Sequence, residues 1–286
     1  MKPVASLAAA LSLAITLPAA AQTDAQTASE PITIGTSHRV TTHGSERRIN
    51  VILPPGYAQS GEEYPLVLIL DGGQGQDLFM AVGINRWNGL WGRSQEAIIV
   101  GIETVDRQRE LLPKTRNTEE QERYPTAGEA EQFRAWLVGE ILPMLRAQYR
   151  DDGRAFLIGE SAAGHFVAET WAEQPGSFTG YAALSPSFQW DEQSLSLRFA
   201  NMPAMDRPPL FVSLADEGGT TEEGAMRFIA AAGPSACFAD RRETHVKHSN
   251  TLHQLLPEAL QFLLPTTADW LEEYGMSVHC DSSVAQ

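Results

Sequence analysis

The sequence predicts an α/β fold with a mainly parallel central sheet. Three observations carry that prediction. Short, continuous apolar runs recur at 65–70, 97–101, 155–159, 181–184 and 210–214, each with the length and composition of a strand buried on both faces. Segments of helical spacing fall between them; in the clearest, Phe133, Trp136, Leu137, Ile141, Leu145 and Tyr149 share one face. Strand and helix alternate along the chain rather than cluster by type, which is the order of a sheet with helices on both faces.

The elements follow in order. Residues 32–52 read as two antiparallel strands broken at His43-Gly44-Ser45, and Pro54-Pro55-Gly56 ends the second. Pro143 lies inside the helix just described and predicts a kink. A helix follows Ser161, with Phe166, Val167 and Trp171 on its apolar side, and another runs from about Thr251 to Leu264. Residues 242–247 read as the last strand. Residues 106–130 are polar and aperiodic, as expected of a long loop beside a functional site. With no repeat and no low-complexity linker, residues 32–286 are expected to form one domain, preceded by a loose polar stretch at 22–31.

The first 21 residues have the character of a secretory signal. Lys2 is followed by an apolar run to Leu17, then Pro18 and three alanines, which places the mature start at Gln22. The run is short for a membrane span, and no later segment is apolar enough to be one. The exported protein is therefore expected to have no membrane span. A formal net charge of −15 argues against nucleic acid and anionic membranes as partners, since both need clustered Lys and Arg. Cys237 and Cys280 are the only cysteines, and an oxidising compartment would allow them to pair. Their separation along the chain gives no metal-site spacing.

The chemistry centres on Gly159-Glu160-Ser161-Ala162-Ala163-Gly164, between a buried strand and a helix. A sharp turn there lifts a serine hydroxyl above the sheet and aims the N–H of the next residue, Ala162, at a developing oxyanion. Such a turn is usually G-x-S-x-G; here Ala163 takes the fifth place and Gly164 follows. A capping serine in an ordinary strand–helix turn is the bland alternative. A serine nucleophile needs a base, and this chain order then puts an acid and a histidine after it. His38 and His43 precede Ser161; His165 shares its helix, His253 lies inside a predicted helix and His279 lies in the tail. That leaves His245 and His248, of which His248 sits in the loop at a strand's C-terminal end, where active-site groups of such sheets collect. The acid should follow the preceding strand, at Asp216 or Glu217.

A second oxyanion donor is expected in the loop after 65–70, at Gly73, with Gly72 or Gln74 as neighbours. Asp71 reads as the residue that holds that loop. Arg107 and Arg109 follow another strand end, where they suit an anionic or carbonyl part of a substrate or a structural ion pair. Trp87, Trp91 and Trp190 suit pocket walls or core.

In several ordered motifs the chain resembles the esterase D-like family of esterases, which includes bacterial siderophore (ferric enterobactin) esterases. The resemblance runs from about residue 35 to 265. It rests on Arg48-Ile49-Asn50-Val51-Ile52-Leu53-Pro54-Pro55-Gly56-Tyr57, Tyr64-Pro65 leading to Leu70-Asp71-Gly72, Val100-Gly101-Ile102, Arg107-Gln108-Arg109-Glu110-Leu111-Leu112-Pro113, Glu140-Ile141-Leu142-Pro143, Gly159-Glu160-Ser161 and Leu184-Ser185-Pro186-Ser187. It implies the α/β-hydrolase fold and carboxylic ester hydrolysis without cofactor or metal. An acidic residue before two glycines implies Glu217 as the acid, and the spacing to Ala259-Leu260 implies His248 as the base. Arg107 or Arg109 would orient the substrate. Ala163 and the run His248-Ser249-Asn250-Thr251 depart from the family pattern and put the substrate in question. An acyltransferase of the same fold, or a binding protein that kept the fold without activity, are the other functional classes.

Overall fold

The computed structural model describes residues 29–42 and 44–281. The expected signal segment 1–21, the expected mature start at Gln22, most of the 22–31 stretch and His43 lie outside the described residues. From Ile34 onward the chain forms one compact unit; residues 29–33, ahead of it, are exposed and without regular structure.

Among the described residues, eight strands form one sheet: β1 (Thr36–Thr42), β2 (Ser45–Ile52), β3 (Tyr64–Leu70), β4 (Ile98–Ile102), β5 (Asp151–Glu160), β6 (Gly180–Leu184), β7 (Leu210–Leu214) and β8 (Ala236–Asp240). Their spatial order is β1-β2-β4-β3-β5-β6-β7-β8. The β1/β2 and β2/β4 pairs are antiparallel and the rest are parallel. The described residues also form ten α-helices: α1 (Tyr57–Ser60), α2 (Leu78–Leu90), α3 (Arg107–Leu111), α4 (Thr118–Arg123), α5 (Ala130–Trp136), α6 (Leu142–Gln148), α7 (Ala162–Glu173), α8 (Trp190–Phe199), α9 (Gly219–Ala232) and α10 (Thr251–Leu263).

The continuous apolar runs are explained by burial on both faces. In β3, Leu66, Leu68 and Leu70 pack with α5, α7 and α9 through residues such as Phe133, Phe166 and Phe228, while Val67 and Ile69 face α2 and α10 through Leu78, Ala81, Leu255 and Leu256. Strands β4 and β5 alternate in the same way. Side chains on both sides leave no solvated face, so the sequence loses its polar alternation.

Two expectations need correction. The last strand is Ala236–Asp240, not 242–247: Cys237, Phe238 and Ala239 are buried there, whereas 241–247 is a charged turn in which only Val246 is buried. Residues 106–130 are not a bare loop. They carry α3 and α4, each started by a side-chain cap, Asp106 accepting from Arg109 N–H and Asn117 from Glu119 and Glu120 N–H. The irregularity expected at Pro143 takes the form of a π-helical turn over Leu137–Ile141 that runs directly into α6, with Pro143 in its first turn.

Cys237 and Cys280 form a disulfide, with Cα atoms 4.8 Å apart. Beyond it, Asp281 N–H donates to Phe238 O (2.6 Å) and Asp240 N–H donates to Asp281 Oδ2 (2.9 Å). The C-terminal tail thus covers part of the outer edge of β8, a position where an unpaired strand edge invites aggregation.

Candidate active site

Ser161 stands between β5 and α7 with φ 60° and ψ −117°, a conformation that costs a non-glycine residue about 1–3 kcal/mol. Its neighbours make room for it. A Cβ on Gly159 would lie 2.6 Å from the Ala163 backbone, and one on Gly164 would lie 2.9 Å from Leu184 O. The close approach that the motif needs is therefore met by Gly159 and Gly164, which is why Ala163 is tolerated at the fifth position. Backbone bonds fix the turn: Ser161 N–H donates to Leu184 O (2.9 Å), and the N–H groups of His165 (2.9 Å) and Ser187 (3.1 Å) donate to Ser161 O.

His248 opens a short 3-10 turn, His248–Asn250, ahead of α10. Its Nε2 is 3.0 Å from Ser161 Oγ and its Nδ1 is 3.0 Å from Glu217 Oε1. Glu217 lies in the loop after β7, ahead of Gly218 and Gly219, which both adopt positive φ. Asp216 points elsewhere and pairs with Lys247. His245 is exposed on the preceding turn. The geometry therefore brings Ser161, His248 and Glu217 together and leaves Asp216 and His245 out. The Glu217 hydrogen bond raises the His248 pKa against the opposing effect of burial, with Glu160 adding to the rise and Arg107 reducing it. Burial would raise the Glu217 carboxyl, but its bond to His248, with Ser185 nearby and its own backbone adding to the effect, outweighs this and holds it low.

Ala162 is the first residue of α7, so no carbonyl within the helix receives its N–H. Gly72 and Gly73 follow β3. Gly72 N–H is taken by Ile102 O at 2.8 Å, and a Cβ there would lie 2.3 Å from Gly101 Cα. Gly73 N–H donates to Gln76 Oε1 at 2.9 Å, and Gln76 Nε2 donates in turn to Thr104 Oγ1 at 3.0 Å. Asp71 holds this loop, accepting from Thr104 Oγ1 and from Arg107 Nε (2.7 Å).

Arg107 also donates to Glu160 O at 3.0 Å, which puts it beside the nucleophile. Arg109 turns away: it reaches Asp106 (3.5 Å) and Glu129 (3.9 Å) and lines a separate cavity of about 150 Å³ with Ser45, Arg47 and Glu110. Trp190 is core, its Nε1–H donating to Pro113 O. Trp87 and Trp91 lie at the C-terminal end of α2, about 18 Å along the helix from its site-facing start, and Trp91 stacks on Tyr274.

Two side chains that sequence reasoning passed over lie at the site. Glu160 occupies a variable place in the serine motif and gave no signal of its own. Asp77 precedes α2; burial, then Asp71 and Glu160, push its carboxyl up to about 6.

His165 is fully buried beneath the site, with Nδ1 3.0 Å from Ser187 O. Burial pushes its pKa down to about 4. The folded protein keeps it neutral while the unfolded chain takes up a proton below about 6.5. This contribution to stability is present above that value and is lost as pH falls toward 4. It is expected to cost about 2 kcal/mol between pH 7.5 and pH 5. Urea unfolding at both values should show a smaller loss in His165→Asn, whose amide can keep the bond to Ser187.

A serine on a strand–helix elbow, followed in the chain by an acid and a histidine on a mainly parallel sheet, defines the α/β-hydrolase fold. The chain belongs to the family described as "Putative esterase", whose model matches residues 40–217. That span includes Ser161 and Glu217 and stops short of His248. Among curated proteins, it is 28% identical to the ferri-bacillibactin esterase BesA of Bacillus subtilis (strain 168) over 135 residues, covering 42% of this chain and 47% of that protein. The match thus spans about half of the relative's length. Two solved structures share the fold. The IroE-like serine hydrolase from Shewanella oneidensis has a TM-score of 0.67 at 21% identity, covering 79% of this chain and 78% of that one. The siderophore hydrolase EstB from Aspergillus nidulans has a TM-score of 0.69 at 16% identity, covering 85% and 100%.

Proposed function

We propose that the protein is a serine carboxylic ester hydrolase that works through an acyl-enzyme on Ser161. The observation that carries this reading is the unbroken line from Ser161 Oγ through both ring nitrogens of His248 to Glu217, each step 3.0 Å. Ser161 Oγ attacks the ester carbonyl as His248 Nε2 takes its proton. Glu217 accepts from Nδ1–H, which fixes the tautomer and stabilises the imidazolium. The tetrahedral oxyanion is held by the N–H groups of Ala162 and Gly73, the substrate oxygen replacing Gln76 Oε1 at Gly73. His248 then protonates the leaving alkoxide. Water repeats the sequence on the acyl-enzyme, releasing the acid and returning the proton to Ser161.

Siderophore-type esters are the first substrate class to test, given the names borne by the relatives; other small esters outside the cytoplasm are the second. Arg107 is placed to orient such a substrate, and Arg109 is the weaker candidate. Export fits the signal-like 1–21 segment and the disulfide, a bond of oxidising compartments. A panel of p-nitrophenyl esters, catecholate siderophores and their ferric complexes tests the reading. Release of acid from at least one class is expected, and a protein inert toward all of them would refute it.

A further inference from the structure

Resting on the serine hydrolase reading, we propose that Glu160 acts as a second carboxylate for His248, a positioning residue held by Thr251 that supports the imidazole while it carries the proton taken from Ser161. Glu160 is the last residue of β5, directly before the nucleophile. Its Oε1 lies 3.9 Å from His248 Nε2, the ring nitrogen that faces Ser161, on the opposite side of the ring from the Glu217 bond. Thr251, fully buried at the start of α10, has its hydroxyl Oγ1 2.9 Å from Glu160 Oε1, to which it donates, and 3.1 Å from His248 O. The threonine thereby ties the histidine-bearing turn to the serine elbow.

The distance decides what such a carboxylate can do. At 3.9 Å it is outside hydrogen-bond reach, so it does not compete with Ser161 for Nε2. It interacts with charge, and Nε2 carries a positive charge only after the proton has moved. A carboxylate there stabilises the imidazolium more than the neutral ring, a difference felt in the transition state and not in the resting enzyme. Glu217 binds the ring in both states and fixes its orientation; Glu160 supplies only the charge-dependent part.

The surrounding charges set when this operates. His248 is faced by Glu217 from the loop after β7, by Glu160 from β5 and by Arg107 from α3. Glu160 is faced by His248, Arg107 and, from the loop after β3, Asp71; Asp77 at the start of α2 is close enough to have its own titration raised by Glu160. Burial raises the Glu160 carboxyl, and its bond to Thr251, His248 and Arg107 pull it back. The transition state uses Glu160 as the carboxylate, so its protonation, like that of His248, lowers the rate on the acid side of the pH–rate profile.

The test uses the whole protein with Glu160→Gln, Glu160→Asp, Thr251→Val and Thr251→Ser. Glutamine keeps an acceptor for Thr251 and removes only the charge. Glu160→Gln is expected to lower kcat on p-nitrophenyl acetate about tenfold with KM nearly unchanged, and to lower the His248 titration midpoint in the resting protein, read by NMR, by about half a pH unit. Thr251→Val should reproduce part of the kcat loss and Thr251→Ser should restore it. An unchanged kcat and midpoint in Glu160→Gln overturns the proposal, as does a kcat loss with the midpoint unmoved, the signature of a merely structural role. If Glu160→Gln does not fold, Glu160→Asp, which shortens the side chain by one methylene, is read by the same two measurements. Wild type that turns over no ester would defeat the hydrolase reading instead, while the NMR midpoint still judges the coupling between Glu160 and His248.

Discussion

Replacing Ser161 by alanine is expected to lower kcat on p-nitrophenyl acetate by about 10⁵–10⁶, with the fold intact. In the proposed mechanism the serine is half of an obligatory pair: without Oγ no acyl-enzyme can form, and without the base at 3.0 Å the hydroxyl would stay protonated. His248→Ala should therefore lose about as much, and the Ser161→Ala, His248→Ala double variant no more than either alone, since the two act as one unit. The residual rate in each would come from the oxyanion donors and binding. Glu217→Gln should also fall by roughly 10⁴, because an amide can present its N–H to Nδ1 and hold the wrong tautomer. Fold integrity is read from the circular dichroism of each variant. Independent, additive losses would contradict the relay.

The largest stability effect is expected at the disulfide. Cys237 and Cys280 are 43 residues apart in sequence, and closing a loop of that length lowers unfolded-chain entropy by an amount worth about 4 kcal/mol. In a protein of this size the double Cys237→Ala, Cys280→Ala variant should melt about 10 °C lower. The bond also anchors the tail whose Asp281 pairs with β8. Loss of the bond should therefore expose that strand edge and raise concentration-dependent aggregation on heating. A melting point within 2 °C of wild type would mean the tail is held by its hydrogen bonds alone.

Much of the fold was legible because its strands are buried on both faces. β3, β4 and β5 stand out as unbroken apolar runs whose alternate residues serve two different helix layers. β8 was misplaced because it is short and at an edge; Ala236 and Ala239 give a faint signal beside the charged 241–247 turn, and only the tertiary structure shows that Cys237 and Phe238 are covered. The caps at Asp106 and Asn117 were readable in principle, but the helices they start are too short for periodicity to show.

The same division holds at the candidate site. Ser161 was legible because strand, turn and helix are local. The preference for Glu217 over Asp216 came from family resemblance alone, since both fit the loop locally and it is the path of Lys247 and His248, 31 positions on, that separates them in the structure. Gly73 was chosen for its freedom of backbone, and no local pattern could reveal that Gln76 already occupies its N–H. Glu160 carried no signal because its meaning comes from Thr251 and His248, about ninety residues later in the chain.

The central claim is that Ser161, activated by His248, is the nucleophile. Reaction of the protein with a fluorophosphonate probe, followed by peptide mapping of the adduct, tests it most directly. The account predicts one adduct on Ser161, formed far more slowly in His248→Ala and absent in Ser161→Ala. Labelling of another residue, or equal labelling of the Ser161→Ala variant, would contradict it.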